Sequence, residues 1–437
     1  MSNQPQIQLP PVNYTAAGET EDLREANLQM AQQIPGYADA TLLIADAISK
    51  RVEQVLMDYT RDAVVMKYQI DGMWHELPRR DRQSGDAMLA SMKCLGGMDP
   101  RERRAKQNGT FKVQFMKVKG PCTLTTQGVQ TGERAILDLT CNRVKLERLE
   151  DLGMREKMRE RIRELFSADK GLIIISSMPK GGLTTTWTAC LNETDRFMRD
   201  FASVQSKSYS DPDVLNVAPN VYDPSKGETF ARAFGKLILR EPEVLVFPEM
   251  NNEETARIAV EQVTDGERLV VTRLHAKSAD EALLRMLMLK PSTEKLAKAV
   301  HCVINSRLVR RLCETCRQPF QPAPQMLQKL GIPQGRVQVF YKPYQPPPTP
   351  PVDDKGNPIP QPICPQCQGL GFIGRTAIFE VLVVNDQIRK ALATKPKLDV
   401  LRRIVKETGH NTLQEEGILL VCQGVTSLTE LQRALTQ

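Results

Sequence analysis

The residues from Gly171 to Leu191, GLIIISSMPKGGLTTTWTACL, have the outline of a phosphate-binding loop that lacks its lysine. An apolar run typical of a buried strand leads into a glycine-containing loop, and three threonines then begin a helix. A working loop of this kind reads G-x-x-x-x-G-K-[ST], and its lysine meets the β- and γ-phosphates of the nucleotide. Gly182 and Thr184 match the motif, but Leu183 stands at the lysine position. Leucine carries no charge, so the sequence leaves open whether the chain is an ATPase or only the framework of one.

The rest of this loop keeps groups that suit a phosphate. Backbone N–H groups and a helix N-terminus attract anions, and a threonine hydroxyl at the helix start can bind magnesium. We therefore predict a nucleotide-binding segment formed by Lys180, Gly181, Gly182, Thr184 and Thr185. Two alternatives stay open for the lysine: it reaches the phosphates from the loop and replaces the missing one, or it is solvated.

Four cysteines form two C-x-x-C pairs, Cys313 with Cys316 and Cys364 with Cys367. Each pair lets two sulfurs converge on one metal ion, and four thiolates close a tetrahedral shell, so we predict a structural zinc site. The alternatives are unligated reduced thiols and, least favoured, redox chemistry. Arginines near the pairs are expected to offset the thiolate charge: Arg307, Arg310, Arg311 and Arg317. The remaining cysteines are predicted to be small apolar packing residues: Cys94, Cys122, Cys141, Cys190, Cys302 and Cys422.

The composition is that of an ordinary soluble protein with room for two or three domains. The chain has 437 residues, of which 41% are hydrophobic and 25% charged, and its formal net charge is +7. This charge fits an anionic ligand, a membrane surface or simply a solvated basic surface. No apolar run approaches the ~18 residues of a transmembrane helix, and the polar N-terminus lacks the regions of a signal peptide. Ten cysteines in such a chain argue against a disulfide framework.

The first part of the chain has the pattern of an α+β domain. Residues 1 to about 20 are predicted to be disordered, and a helix is expected between Asp39 and Val55. Two β-rich runs flank Asp71-Gly72, which is a strong hairpin signal. A helix over Gly85–Cys94 and strands over 111–118, 122–126 and 134–139 complete this domain.

Strands and helices alternate in the second part, which favours a mainly parallel sheet covered by helices. A charged helical stretch over 146–165 leads into it. Further strands are expected over 244–247 and 268–272, with a helix over 255–263 between them. The Pro-dense stretch 342–362 is predicted to be an extended, mobile loop, and short helices follow from Asn385, with breaks at 412–417 and 424–428.

Several longer segments carry a family resemblance. INSRLVRRLCETC and CPQCQGLGFIGRTAIFEVL contain the two cysteine pairs, and NTLQEEGILLVCQGVTSLTELQRAL follows them. RLHAKSADEAL lies upstream, and the first part contains YQIDGMWHEL, GGMDPRERRAKQNGTF and LTTQGVQTGERAIL. Taken in their order along the chain, from about residue 37 to the C-terminus, these segments resemble the ATPases of type II secretion and type IV pilus assembly. The chain is thereby identified as a member with degenerate nucleotide motifs.

The resemblance implies an α/β protein in which a PAS-like α+β domain precedes a RecA-like P-loop NTPase core. A C-terminal tetracysteine zinc module and a helical tail follow. The expected segments are a disordered tail at 1–35, the PAS-like domain at 36–145, the RecA-like domain at 146–305, the zinc module at 306–382 and the helical region at 383–437.

The resemblance also implies a ring subunit that is cytoplasmic and peripheral to the inner membrane. The ring is expected to be a homo-hexamer, or a mixed ring with an active paralogue, that works with inner-membrane secretion or pilus platform proteins. Such rings use ATP hydrolysis to drive pseudopilus or pilus assembly, or pilus retraction. Many secretion members have a further N-terminal docking domain, whereas about 35 residues precede the first matching domain here. The docking partner is therefore open.

Other positions also depart from the family pattern. The family's acidic box reads close to T-I-E-D-P-V-E, and this chain has Gln205 at its glutamate. Glutamine cannot act as a base. Thr110 and Asp138 stand where active members have arginines that reach the nucleotide. Glu249 and His275 are retained as candidate catalytic residues, for a magnesium-bound water and for the γ-phosphate, although a strand-end glutamate is often a cap and a lone histidine is often only packed.

These losses favour a catalytically impaired subunit with a structural or regulatory role, because charge stabilisation carries most of phosphoryl-transfer catalysis. Binding of ATP and Mg²⁺ is possible but in doubt. The alternative is an active motor of the same family whose P-loop is rebuilt around Lys180. A RecA-like nucleic-acid-binding protein is a third hypothesis. It is disfavoured, and no nucleic acid is expected, because only 5% of residues are aromatic and no basic stripe is interleaved with them.

Overall fold

The computed structural model describes residues 12–142, 144–209, 211–345 and 363–436. The chain divides into two compact units, Met1–Lys145 and Leu146–Gln437. No helix in the described ranges is both long enough and apolar enough to cross a membrane. Residues 1–11 of the expected disordered tail, and 346–362 of the expected Pro-rich loop, lie outside the described residues.

The first unit is an antiparallel sheet with helices packed against it. Its strands run in the order β1-β6-β7-β8-β2-β3-β4, and β5 pairs with β3. The elements are β1 (Asn13–Thr15), α1 (Glu21–Gln33), α2 (Tyr37–Ser49), β2 (Gln54–Tyr59), β3 (Ala63–Ile70), β4 (Met73–Glu76), β5 (Arg80–Asp81), α3 (Arg82–Leu95), β6 (Gln107–Phe115), β7 (Val118–Val129) and β8 (Gly132–Asp138).

The prediction of a disordered tail at 1–35 is wrong for residues 12–35, the part that the structure describes. β1 pairs with β6, and α1 follows the N-cap residue Thr20, whose side chain accepts a hydrogen bond from the Leu23 N–H at 3.3 Å. The helix was missed because it buries only Asn27 and Ala31, so its sequence has almost no apolar stripe.

Local signals in the rest of this unit were more reliable. The hairpin at Asp71-Gly72 is confirmed: both residues have positive φ, as a tight turn between β3 and β4 requires. The helix expected from Asp39 to Val55 instead ends at Ser49, and Val55 lies in β2 with its side chain fully buried.

The second unit contains a seven-stranded sheet in the order β11-β10-β12-β13-β9-β14-β17, parallel except for the last pair. Its elements up to the last strand of that sheet are α4 (Glu156–Phe166), β9 (Gly171–Ser177), α5 (Leu183–Asn192), β10 (Phe201–Ser206), β11 (Val217–Tyr222), α6 (Phe230–Leu237), β12 (Val244–Phe247), α7 (Glu253–Thr264), β13 (Leu269–His275), α8 (Ala279–Met288), α9 (Thr293–Ala299), β14 (Val300–Leu312), β15 (Gln318–Phe320), α10 (Pro324–Lys329), β16 (Phe340–Lys342) and β17 (Phe372–Val383). The chain ends with α11 (Asp386–Ala393), α12 (Leu398–Glu407), α13 (Leu413–Cys422) and α14 (Leu428–Thr436).

The core of the second unit lies on both faces of this sheet. Every residue of β9 is buried. Leu172 and Ile174 pack with α6 to α9 on one face, whereas Ile173 and Ile175 pack with α4 and α5 on the other. The continuous apolar run from Leu172 to Ile175 is typical of a parallel strand covered on both faces.

Two boundaries of the second unit differ from expectation. The charged stretch over 146–165 is helical only from Glu156, because the residues before it form turns. The predicted break at 412–417 is instead the start of α13, where Thr412 and Glu415 form a capping box.

Candidate functional site

The degenerate phosphate loop lies between β9 and α5, at the carboxyl edge of the parallel sheet. Ser177, at the end of β9, is level with His275 on β13 and with Ser306 on β14. The loop is tightly closed, because the Gly181 N–H donates to the Met178 carbonyl at 2.8 Å. A Cβ on Gly181 would lie 2.3 Å from the Ser177 hydroxyl oxygen, so only glycine fits there. The fold thus keeps the strand, loop and helix arrangement that the motif predicts.

The side chains of this loop do not provide the missing charge. Leu183 is 9% exposed and belongs to the apolar cluster beneath α5. Lys180 is exposed and has a left-handed backbone, with φ of +61°. Gly182 also has positive φ and precedes the first residue of α5. At the position of the motif lysine, the chain therefore has a buried apolar side chain.

The Thr184 hydroxyl, which a nucleotide-bound magnesium would need, is engaged by a carboxylate. It donates to Asp211 at 3.1 Å. The same carboxylate forms an ion pair with Arg273 at 2.5 Å and accepts a hydrogen bond from the Tyr209 hydroxyl at 3.4 Å. Both charged side chains are largely buried, with 13% of Arg273 and 20% of Asp211 exposed.

Arg273 is fixed on several sides. Its Nε donates to the Pro248 carbonyl at 2.9 Å, and its guanidinium lies 5.5 Å from the Trp187 ring centre and 5.1 Å from that of Tyr209. Burial raises the pKa of Tyr209, so its hydroxyl stays protonated and can donate to Asp211. We call Thr184, Tyr209, Asp211 and Arg273 the Asp211 latch.

Sequence reasoning missed both charged residues of the latch. Asp211 and Arg273 are 62 positions apart, and no local pattern pairs them. Arg273, two residues before the histidine of the histidine box, was the available signal, since a charge near the end of a buried strand needs a partner.

The retained candidates Glu249 and His275 both contact residues at the ends of neighbouring strands. Glu249 accepts from the Ser206 N–H at 2.7 Å and from the Ser206 hydroxyl at 3.1 Å. Its carboxylate therefore accepts hydrogen bonds from the last residue of the neighbouring strand β10. The His275 ring is exposed, and its Nδ1 lies 3.0 Å from the Ser177 carbonyl oxygen. The structure places both at the same sheet edge as the phosphate loop.

Gln205, at the position of the acidic-box glutamate, is buried and has a hydroxyl and a carboxylate as hydrogen-bond partners. It is 9% exposed, accepts from the Ser203 hydroxyl at 3.4 Å and donates to Asp213 at 3.4 Å. It lines a small cavity together with Trp187. A glutamine in this place can position a neighbour but cannot take a proton.

The two substituted arginine positions of the first unit carry no cation. Thr110 lies 3.0 Å from the Thr123 hydroxyl on the next strand. Asp138 accepts from the Gln54 amide at 3.0 Å and from the Thr140 hydroxyl at 2.8 Å.

The four motif cysteines converge on one point of the second unit. The β14–β17 ladder pairs Leu312 with Phe372, which places one C-x-x-C just after the first strand and the other just before the second. Sulfur distances are 3.7 Å between Cys313 and Cys364 and 3.5 Å between Cys316 and Cys367. All four sulfurs lie within 4.8 Å of one another, so the set could hold one metal ion.

Backbone groups around this cluster suit thiolates. N–H groups of Cys367 and Gln366 lower the pKa of Cys364 to about 7. The Gly371 N–H donates to the Cys367 sulfur at 3.3 Å.

The arginines expected to balance the cluster have other partners. Arg310 forms an ion pair with Glu430 at 2.6 Å, and Arg317 donates to the Gly424 carbonyl at 2.6 Å. Arg311 lies 4.0 Å from Glu314. Arg307 is buried and donates to the Lys277 carbonyl at 3.2 Å. Arg307 and Arg310 therefore join β14 to neighbouring segments.

Comparison with known proteins shows what these features belong to. The family model for type II/IV secretion system proteins matches residues 31–433. The chain belongs to this family. It is 27% identical to the type IV pilus assembly ATPase PilB of Thermus thermophilus over 96% of the chain, and it covers 46% of that protein. It is also 27% identical to the type II secretion system protein E of Aeromonas hydrophila, over 95% of the chain and 78% of that protein.

Solved structures support the fold. The Legionella pneumophila ATPase DotB matches with a TM-score of 0.54 at 12% identity, covering 92% of this chain and 96% of that one. The pilus retraction motor PilT with bound ADP matches with a TM-score of 0.52 at 15% identity, covering 90% of this chain and 95% of that one. The chain thus has the mixed α/β fold of secretion ATPases, and it spans about half the length of the Thermus relative.

Proposed function

We propose that this chain is a catalytically impaired subunit of a type II secretion or type IV pilus-like machine, with a structural or regulatory role. The observation that carries the proposal is the Asp211 latch beside a phosphate loop whose lysine is replaced by buried Leu183. Family membership supports the kind of machine, and the altered site supports the impairment.

The chemistry of phosphoryl transfer explains why this arrangement disfavours turnover. Such a reaction depends on cations at the phosphates, a magnesium ion and an oriented water. Here a carboxylate contacts the hydroxyl that would bind the metal, and the nearest arginine already neutralises that carboxylate. An arriving triphosphate would find the Thr184 hydroxyl and the Arg273 charge already engaged by Asp211, and no lysine at the motif position. In addition, Gln205 stands where the family has a glutamate, and a glutamine cannot accept the proton of the attacking water.

The finer architecture belongs to the same proposal. We assign a PAS-like domain to 36–145, a RecA-like domain to 146–305, a zinc module to 306–382 and a helical tail to 383–437. The parallel order around β9, with the phosphate loop at its carboxyl end, supports the RecA-like assignment. The antiparallel sheet of the first unit, with α2 and α3 packed together, supports the PAS-like one.

Zinc is the metal that fits the four sulfurs, since closed sites of four thiolates are typical of structural zinc. Cys313, Cys316, Cys364 and Cys367 would hold it and fasten the ends of β14 and β17 together. Metal analysis of protein purified without chelator is expected to find about one zinc per chain. Cys364→Ser should remove the zinc, while Cys422→Ser, at a cysteine outside the cluster, should keep it. Zinc-free parent protein would contradict the assignment.

The assembly is proposed from family membership. We expect a hexameric ring of this chain alone, or one mixed with an active paralogue, at the cytoplasmic side of the inner membrane. Platform proteins of a secretion or pilus machine are the expected partners. ATP and Mg²⁺ are the family's cofactors, and the latch makes their binding here the point to test.

Calorimetry with ATP and Mg²⁺, run together with a hydrolysis assay, tests the proposal on the full chain. We expect no turnover, and weak binding that strengthens in Asp211→Asn, because that variant removes the opposing charge. Lys180→Ala should change neither result. Turnover comparable to that of active family members, lost in Lys180→Ala, would overturn the proposal in favour of a rebuilt motor. Tight binding without turnover would keep the impairment but contradict the role of the latch.

A further inference from the structure

Two cysteines outside the tetracysteine cluster lie side by side in the first unit. Cys122 is in β7, and Cys141 is in a 3₁₀ turn, Thr140–Asn142, that follows β8. Their sulfurs are 3.7 Å apart, although the residues are 19 positions apart in sequence. The sequence predicted both to be isolated packing residues, and the structure corrects this by bringing them together.

The backbone around the pair allows a close approach. Gly120 faces the turn, and a Cβ at Gly120 would lie 3.0 Å from both Cα and Cβ of Cys141. That distance is tighter than ordinary contact, so any larger residue would push the turn away from β7. Glycine here thus lets the second thiol reach the first.

The two thiols differ in exposure and acidity. Cys122 is fully buried, whereas Cys141 is partly exposed. A hydrogen bond from Cys122, and then N–H groups of Cys141 and Asn142, lower the pKa of Cys141. The same hydrogen bond, together with burial, raises the pKa of Cys122. An accessible thiol of lowered pKa beside a protected one is the usual arrangement of an attacking and a resolving cysteine.

We propose that Cys122 and Cys141 form a reversible disulfide by exchange with a low-molecular-weight disulfide. The Cys141 thiol loses its proton to water, and the thiolate attacks one sulfur of the small disulfide. A mixed disulfide forms and one small thiolate leaves. Cys122 then loses its proton and attacks the Cys141 sulfur, which releases the second small thiolate. Two electrons pass from the protein thiols to the small disulfide, which is reduced to two thiols.

The bond would join β7 to the last turn of the first unit, just before Lys145. Cross-linking two segments restricts the unfolded chain, so the oxidised first unit is expected to be the more stable form. In reducing cells such bonds are transient and sense oxidation, which fits a reversible rather than a structural role. The modification is independent of whether the nucleotide site is active.

The test uses the full chain in glutathione buffers of increasing disulfide content, followed by differential alkylation and peptide mass spectrometry. We expect a linked Cys122–Cys141 peptide that disappears on reduction, and a thermal unfolding midpoint that shifts upward with the linked fraction. Mapping by peptide separates this link from any oxidation of the metal-cluster cysteines. Two free thiols at the highest disulfide content would overturn the proposal.

Four variants sharpen the result. Cys122→Ser is expected to retain glutathione on Cys141, and Cys141→Ser to leave Cys122 unmodified. Cys94→Ser, a buried cysteine of α3 in the same unit, should link as the parent does. Gly120→Ala keeps both thiols but displaces the turn, so its linked fraction should fall at every buffer composition. Equal linking in Gly120→Ala, or glutathione on Cys122 in Cys141→Ser, would contradict the proposed geometry.

Discussion

At the scale of single residues, the side chains around the degenerate phosphate loop satisfy one another. Leu183 joins the core, and Glu249 caps β10. Asp211 and Arg273 neutralise each other where separate charges would be costly to bury. The residues around the phosphate loop therefore form a locally satisfied arrangement.

The contribution of the latch to stability can be measured directly. Asp211→Asn keeps the size of the side chain but leaves Arg273, which is 13% exposed, without its counter-charge. We expect the free energy of unfolding of the second unit to fall by about 1–3 kcal/mol. Chemical denaturation followed by circular dichroism measures it. Glu294→Gln breaks an exposed pair with Lys298 and should have no measurable effect. Identical unfolding curves for both variants would show that the latch adds nothing.

At the scale of elements, the C-terminal helices are held to the sheet by charge as well as by apolar contact. Glu430 lies in the first turn of α14 with its side chain fully buried, and it receives hydrogen bonds from Arg310 on β14 and from Arg433. Burial by itself would raise the pKa of Glu430. The hydrogen bonds from Arg433 and Arg310 outweigh it and lower the pKa to about 2.

The lowered pKa fixes the direction of a pH effect. Because the value falls from 4.5 to about 2 on folding, the stabilisation is present above pH 4.5 and is lost as the pH falls toward 2. Glu430→Gln should lower the free energy of unfolding by about 2 kcal/mol at pH 7, and the gap from the parent should narrow toward pH 3. Urea titrations at several pH values measure the gap. Glu164→Gln, at an exposed carboxylate, serves as the control. A gap that stays constant with pH would contradict this account.

The elements also show which features the sequence can predict. Val244–Phe247 was predicted to the residue, because an apolar run of this length between polar residues is too short for a buried helix. The cysteine cluster followed from spacing alone. In contrast, α1 was missed for want of an apolar stripe, and the latch depends on how β13 and the segment after β10 meet in space. No local sequence pattern predicts a contact between residues this far apart in the chain.

At the scale of the whole molecule, the chain keeps the fold of its family, although the loop after β9 has Leu183 at the lysine position of the phosphate-binding motif. The family match extends over residues 31–433, and the strand order around β9 is that of an intact parallel sheet. A chain that only needed to lose activity would be free to lose its fold as well. Retention of the framework therefore favours a role that depends on shape, such as occupying a place in a ring.

That role predicts a specific assembly behaviour. Co-expressed with an active family member from the same cell, this chain is expected to co-purify with it in particles of ring size, because the folded framework is retained even though the site is altered. Native mass spectrometry of the particles gives their composition. ATP hydrolysis per active subunit, measured against rings of the active member alone, shows whether this chain regulates it. Asp211→Asn should assemble equally well, since the latch lies at the nucleotide site. Recovery of this chain only as separate monomers, with rings built solely of the active member, would contradict the proposed place in a mixed ring.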